Sequence, residues 1–265
     1  MKKHLIIGRP IGHSLSPKIH NYWFGNNKIK AVYEKLSLED NDLKNIIKLI
    51  KTGEIFGMNV TVPFKQKIIP FLDDMSNLSK ETHSVNTIFN KNGKTFGDNT
   101  DVYGFEKSII NNNLDLEDKT VLIFGAGGVV PSIITALNNL KVKNIFLSNR
   151  TYKNAQTVKK RYKNIEILKW GEFIDCDIYI NSTSVGLNQG DELKFDFSAL
   201  TKKKIFYDVI YNPIKTKFLK DADKLKHKTI NGRDMFLYQA QKAFYLWHNI
   251  SPKIDEKLID YIFND

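Results

Sequence analysis

TVLIFGAGGVVPSIITALNNLKVKNIFLSNRT, residues 120–151, decides the architecture of this 265-residue chain. Val121-Leu122-Ile123-Phe124 is wholly apolar and rich in β-formers, the composition of a strand buried on both faces. Gly125-Ala126-Gly127-Gly128 follows at once, and Val130, Ile133, Ile134, Leu137 and Leu140 then recur at helical spacing. Pro131 falls in the first helical turn, where a missing N–H costs nothing. Ile145-Phe146-Leu147 closes the stretch as a second strand, so the whole reads as a βαβ crossover. Glycines at such a turn let the backbone approach a pyrophosphate, whose charge is stabilised by N–H groups and the helix dipole. A glycine trio alone is uninformative; the strand before it and the helix after it supply the required context. The third fingerprint position, commonly Gly or Ala, is Val130, which predicts a slightly wider spacing between helix and strand.

The end of the second strand bears on the choice of dinucleotide. An acidic residue some 20 positions past the glycines would hold an NAD ribose hydroxyl. Here the chain reads Ser148-Asn149-Arg150-Thr151, with no carboxylate. Arginine is scarce, occurring only as Arg9, Arg150, Arg161 and Arg233 in a lysine-rich sequence. A guanidinium at this point suits a 2′-phosphate, which it grips with two hydrogen bonds, or it is a solvated arginine at a helix start. The phosphate role points to NADP.

Upstream, 4–7 reads as a buried strand and Gly8-Arg9-Pro10-Ile11-Gly12 as the turn leaving it. A helix follows with Ile19, Trp23 and Phe24 on its apolar side. Ser16 before Pro17 is an N-cap signal; equally, Ser14 and Ser16 place two hydroxyls beside a helix start, which suits a carboxylate ligand. A strand is predicted over 31–36, a helical stripe through Leu43, Ile46, Ile47 and Ile50, and a strand over 55–60. Asn59-Val60-Thr61-Val62-Pro63-Phe64-Lys65 carries the chain off that strand's end, where ligands gather in open α/β sheets. Lys65 by itself is most simply a surface lysine. A loop and short helix occupy 70–80, and Asn92-Gly93 marks a hairpin between 84–89 and 95–97. Asp101 opens another helix either as its N-cap or as a site carboxylate. The polar run Asn111-Asn112-Asn113 lies in the connector to the nucleotide unit.

Downstream the α/β rhythm continues, with a helix over 153–162 and strands over 177–180 and 205–209. Asn181-Ser182-Thr183-Ser184-Val185-Gly186 leaves the first strand and Tyr211-Asn212-Pro213 the second, both on the cofactor side of the sheet. From Gly232 onward the pattern is helical, with Met235, Phe236, Ala240, Ala243, Phe244 and Trp247 on one face. These helices have no strands of their own, so they are expected to pack back on the first domain. The fold class is α/β: an N-terminal α/β substrate domain, 1–100 with 232–265, and a Rossmann-like dinucleotide-binding domain, 101–231.

A net charge of +11 invites a nucleic-acid partner, yet the lysines are scattered and none of their runs is interleaved with aromatics. No nucleic-acid partner is expected, though such a field steers small anions. Cys176 is the lone cysteine, which excludes an internal disulfide and fits a reducing cytoplasm. The apolar run after Lys2-Lys3 ends at Arg9-Pro10, too early for a signal peptide, and no stretch reaches membrane-spanning length. His13 and His20 lack neighbours at ligand spacing, so no metal site is expected.

Taken together, the motifs resemble the shikimate dehydrogenase (shikimate/quinate dehydrogenase) family over nearly the whole chain. They are Gly8-x-Pro10-Ile11-x-His13-Ser14-x-Ser16-Pro17, Asn59-Val60-Thr61-x-Pro63-x-Lys65, Val85-Asn86-Thr87, and Gly97-Asp98-Asn99-Thr100-Asp101-x-x-Gly104-Phe105. Gly125-Ala126-Gly127-Gly128, Asn149-Arg150-Thr151, Asn181-x-Thr183-Ser184-x-Gly186, Asp208-x-x-Tyr211-Asn212-Pro213 and Asn231-Gly232 with Gln239-Ala240 complete the set.

The resemblance implies NADP-linked interconversion of 3-dehydroshikimate and shikimate, a step towards chorismate and the aromatic amino acids, in a cytoplasmic monomer or homodimer. It implies a catalytic pair, Lys65 and Asp101; a substrate carboxylate held by Ser14, Ser16 and Tyr211; and ring hydroxyls bound by Asn59, Thr61, Asn86 and Gln239. Cofactor contacts are implied at Gly125, Ala126, Gly127, Gly128, Val129, Asn149, Arg150, Thr151, Thr183, Ser184 and Gly232. The chemistry is coherent, since hydride arriving at a ring carbonyl leaves an alkoxide that a lysine ammonium stabilises and protonates. Besides Val130, the chain departs from the family at Ser84, usually alanine, and at Asn154, often a second basic residue; Lys153 is one position out of phase. A dual-specificity quinate enzyme and a non-catalytic nucleotide sensor are the alternatives. A sensor would need neither Lys65 nor Asp101.

Overall fold

The computed structural model describes residues 1–188, 190–193, 195, 197–200 and 202–264, and the chain divides into two compact units, Met1–Gly104 with Leu237–Asp265, and Phe105–Phe236. Both divisions fall inside helices, at 104/105 and 236/237, beside the expected bounds of 100/101 and 231/232.

In the first unit the chain runs β1 (Lys2–Gly8), α1 (Ser16–Asn26), β2 (Ala31–Ser37), α2 (Leu43–Lys51), β3 (Gly57–Val60), α3 (Phe64–Lys67), β4 (Asp74–Met75), α4 (Asn77–Thr82), β5 (Thr87–Lys91), β6 (Lys94–Asp98) and α5 (Asp101–Asn111). One sheet of order β2-β1-β3-β5-β6-β4 results, parallel across β2, β1 and β3 and antiparallel through β5 and β6. The β5–β6 hairpin turns at Asn92 and Gly93, both with positive φ (54° and 80°), as a two-residue loop of this hand requires. On one face Leu5 and Ile7 of β1 and Met58 and Val60 of β3 meet the stripe Leu43, Ile46, Ile47 and Ile50 of α2, all buried. The opposite face is aromatic. His4 of β1 and Tyr33 of β2 meet His20 and Phe24 of α1 and Trp247 from the C-terminal helix. Gly57 has a steric cause here. A Cβ on it would stand 2.7 Å from the indole of Trp247, so only glycine lets that ring lie on the sheet.

The second unit contains β7 (Thr120–Phe124), α6 (Val130–Asn139), β8 (Asn144–Ser148), α7 (Tyr152–Arg161), β9 (Ile165–Leu168), β10 (Ile178–Asn181), β11 (Ile205–Asp208), α8 (Lys217–Lys224) and β12 (Lys228–Ile230). Its sheet is wholly parallel in the order β12-β11-β10-β7-β8-β9. Counted from β7 this is the doubly wound order 3-2-1-4-5-6, with the switch point between β7 and β10. The apolar run 121–124 is the central strand, fully buried as its composition predicts. Three elements were not anticipated: β9 and β12, which are short edge strands with polar residues, and α8, whose apolar stripe is only Phe218, Leu219 and Ala222. The chain closes with α9 (Arg233–His248) and α10 (Glu256–Phe263). From Leu237 on, these helices belong to the first unit, where Trp23 Nε1 donates to the Lys253 carbonyl at 3.2 Å. That is the return of the C-terminal helices to the first domain expected from their lack of strands.

Candidate active site

Lys65 and Asp101 meet in the first unit. Lys65 lies on α3, just past the carboxyl end of β3, and Asp101 is the first residue of α5. The ammonium Nζ donates to Asp101 Oδ2 at 2.5 Å, with side chains only 10% and 8% exposed. Lys65 is therefore not the solvated surface lysine that composition alone favours. Burial of the pair is tolerable because the carboxylate is satisfied on both oxygens, Asn86 Nδ2 donating to Oδ1 at 2.9 Å. The ambiguity at Asp101 resolves against an N-cap. Asn99 supplies the cap instead, its Oδ1 accepting from the backbone N–H of Asp101 at 3.0 Å and of Val102 at 3.4 Å. Asn99 is anchored in turn through Nδ2, which donates to Thr82 Oγ1 and the Ser84 carbonyl. Asn99 stood in the quoted motif without a role, and its place two residues before Asp101 is the signal that could have assigned one.

Around the pair lies a closed polar network. Asn86 Nδ2 also donates to Thr100 Oγ1 (3.0 Å), and Asn86 Oδ1 accepts from Thr100 N (2.8 Å) and Thr87 Oγ1 (3.0 Å). Asn59 Nδ2 donates to the Asn86 carbonyl and to Thr87 Oγ1, both at 3.0 Å, while Asn59 Oδ1 accepts from the Tyr33 hydroxyl at 2.7 Å. Thus Asn59, Asn86, Lys65 and Asp101 form one connected cluster that also includes Thr87 and Thr100, which stood in the quoted motifs without a role, and Tyr33, which lay outside them. Thr61 follows β3, its amide bonded to the Ile7 carbonyl. Its methyl packs where a Cβ on Gly8 would stand, 2.4 Å away, which explains glycine at the end of β1. Ser14 and Ser16 are buried and in contact, Ser14 Oγ donating to Ser16 Oγ at 3.2 Å. The N-cap expectation at Ser16 is corrected: the cap position of α1 is Leu15 and Ser16 is the first helical residue, with no side-chain cap bond. Two hydroxyls at a helix start are thus available for a small carboxylate. Gln239 is half-buried on α9.

In the second unit the expected cofactor residues all follow carboxyl ends of strands: Gly125 to Val129 after β7, Asn149 to Thr151 after β8, Thr183 and Ser184 after β10, and Gly232 after β12. Tyr211, after β11, stacks on Phe236 with centroids 4.3 Å apart. Gly125 adopts φ +106°, its N–H bonded to the Ser148 carbonyl, and a Cβ there would stand 2.7 Å from Ser182 Oγ. The turn is therefore pressed against the switch point. Gly127, by contrast, has no atom within 4 Å of its missing Cβ, which leaves the space a pyrophosphate needs. Arg150 is exposed at the end of β8 with no hydrogen-bond or ion-pair partner among the described residues, as an arginine serving a 2′-phosphate would be. The residues present thus fit a dinucleotide. Gly232 has a further structural cause, since a Cβ would fall 2.1 Å from the Val209 carbonyl oxygen. Val130 is fully buried as the first residue of α6, so the departure at the third fingerprint position fills core and does not block the turn. Beneath the site, Asp208 accepts from Thr216 Oγ1, Ile210 N and Asn181 Nδ2, and burial pushes its carboxyl up to about 6.

A doubly wound parallel sheet with a glycine turn at its switch point, in one chain with a unit holding a buried lysine–aspartate pair, defines a nicotinamide-dependent dehydrogenase with a separate substrate unit. The family description "Shikimate dehydrogenase substrate binding domain" matches residues 6–88, and "Shikimate / quinate 5-dehydrogenase" matches residues 107–187. The chain is 49% identical to the shikimate dehydrogenase (NADP(+)) of Pelagibacter ubique over 98% of both sequences. It superposes with a TM-score of 0.92 on a shikimate dehydrogenase crystallised with NADP+, at 32% identity, covering 100% of this chain and 95% of that one. The Listeria monocytogenes shikimate 5-dehydrogenase in complex with shikimate and NAD gives a TM-score of 0.88 at 29% identity, over 100% of this chain and 96% of that one. The chain belongs to the shikimate dehydrogenase family.

Proposed function

We infer that this chain catalyses the reversible NADP-dependent reduction of 3-dehydroshikimate to shikimate. The observation that carries this reading is the 2.5 Å contact between the buried Lys65 ammonium and Asp101 in the unit that matches the family's substrate-binding domain. NADPH, when bound, supplies the hydride. Lys65 donates a hydrogen bond to the substrate's carbonyl oxygen, stabilises the negative charge that develops there, and delivers the proton that makes the hydroxyl. Asp101 fixes the ammonium and shares the proton in the reverse direction, while Asn86 fixes Asp101. Positioned proton transfer of this kind contributes roughly 10²–10⁴-fold. Ser14 and Ser16 receive the substrate carboxylate, and Asn59, Thr61, Asn86 and Gln239 its hydroxyls. The loop from Gly125 to Val129, Asn149 to Thr151, Thr183, Ser184 and Gly232 receive the dinucleotide, with Arg150 on the 2′-phosphate. The enzyme works in the cytoplasm as a monomer or homodimer, with no membrane or nucleic-acid partner.

Oxidation of quinate beside shikimate is the second reading, favoured by the family description that covers 107–187. For the principal reading, Lys65→Met is expected to lower kcat by roughly 10²–10⁴-fold with a modest change in KM, measured by nicotinamide absorbance. Normal turnover in that variant would remove Lys65 from the mechanism.

A further inference from the structure

We propose that Tyr33 is a positioning residue for substrate recognition, acting through Asn59, so that Asn59 meets a ligand hydroxyl only as an acceptor. The inference rests on the substrate role given to Asn59 above. Its basis is an accounting of that amide's hydrogen bonds. An amide has two donor hydrogens and one carbonyl oxygen with two lone pairs. Both hydrogens of Asn59 are committed, one to the Asn86 carbonyl and one to Thr87 Oγ1. A peptide carbonyl only accepts, so the amide cannot be turned over without setting oxygen against oxygen. Oδ1 therefore faces Tyr33, and the phenol hydroxyl donates to it at 2.7 Å. One lone pair on Oδ1 remains. A ligand group meeting Asn59 must then be a donor, which a hydroxyl is and a ketone or ether oxygen is not.

Tyr33 is itself held. It is 2% exposed, its ring lies parallel to His20 with centroids 4.5 Å apart, and its backbone N–H and carbonyl are bonded to the side chain of Asn21 at 2.9 Å each. In the sheet its register partner is His4 on β1, which in turn is paired with Gly57 on β3; Asn59 lies two residues further along β3, on the same face. The phenol therefore reaches across the intervening strand to brace the amide from β2. Without the hydroxyl, Asn59 loses one of its three anchors and must be ordered when a ligand binds.

The test is a cycle of Tyr33→Phe and Asn59→Ala, singly and together, with the nitrogen-labelled side-chain amide of Asn59 followed by NMR. Tyr33→Phe is expected to raise KM for shikimate by about 3–10-fold, the loss of one neutral hydrogen bond, while kcat and KM for NADP+ stay within about 2-fold. In the Asn59→Ala background the same substitution should change nothing further. The Asn59 amide signal should shift in Tyr33→Phe without any ligand. Equal increments in both backgrounds would overturn the proposal, because Tyr33 would then act on the ligand directly or on the fold at large. An unmoved amide signal would overturn it independently of substrate. A wild-type protein that bound no shikimate would instead refute the functional reading, and the amide signal would still decide on Tyr33.

Discussion

Asn99 shows how a single residue can settle the meaning of another. Helix starts favour Asp and Asn alike, so residue type could not say whether Asp101 capped α5 or served a site; with the cap supplied by Asn99, the Asp101 carboxylate is released to Lys65. Lys65 itself was legible only through the motif around it, because nothing in a lysine-rich sequence distinguishes a buried ammonium from a solvated one. Asp101→Asn is expected to lower kcat somewhat less than loss of Lys65 does, since the ammonium keeps a hydrogen-bonding neighbour but loses its counter-charge. Unchanged kcat in steady-state assays would show that Lys65 needs no carboxylate. Arg150 stood out in the sequence by scarcity: one of four arginines, standing where an acidic residue would select NAD. Arg150→Ala should cost NADP use about 1.5–3 kcal/mol in kcat/KM while leaving NAD turnover nearly unchanged. Equal damage to both cofactors would contradict a role on the 2′-phosphate.

Elements were most legible where one periodicity ran uninterrupted. The strand over 121–124 and the stripe Leu43, Ile46, Ile47 and Ile50 each bury what their spacing predicts. Edge strands β9 and β12 escaped because each is short and buries a single residue, Ile165 and Ile230, while the sheet's ladder holds the rest. The strand expected over 55–60 begins at Gly57, and the indole of Trp247 lies on that glycine. No single sequence could show this, since the contact joins residues 57 and 247. Asn99→Ala removes the cap of α5 and is expected to cost about 0.5–2 kcal/mol of stability by urea denaturation, with a fall in kcat as Asp101 loses its anchor. Gly232→Ala forces a Cβ against the Val209 carbonyl and should cost about 1–3 kcal/mol; full stability would mean the β11 exit turn yields freely.

Across the whole molecule, the parallel α/β class of the second unit followed from the first βαβ crossover; in the first unit the Asn92-Gly93 turn marked the β5–β6 hairpin but not its antiparallel pairing onto β3. The aromatic face of the first unit was equally hidden, since His4, His20 and His248 come from the two ends of the chain. Burial, the leading cause in each case, lowers all three histidines, His4 to about 3 and His248 to about 4; neighbouring positive charge, from His248 and Lys2 on His4 and from Lys2 on His248, adds to it. A base whose pKa is depressed by folding contributes stability above its unfolded value of 6.5, and that stability is lost as pH falls through 6.5 towards 4 and then 3. Asp208 acts in the opposite sense: raised to about 6 by burial, its unfavourable charge is relieved as pH falls from 6. Three groups outweigh one, so the urea midpoint read by tryptophan fluorescence should fall between pH 7 and pH 5. A constant midpoint would mean the histidines protonate without unfolding the aromatic face. Function is tested most directly by following nicotinamide absorbance with shikimate or quinate, each crossed with NADP+ or NAD+. Rapid turnover confined to shikimate with NADP+ is the predicted result, and reduction of neither nucleotide by shikimate would contradict it.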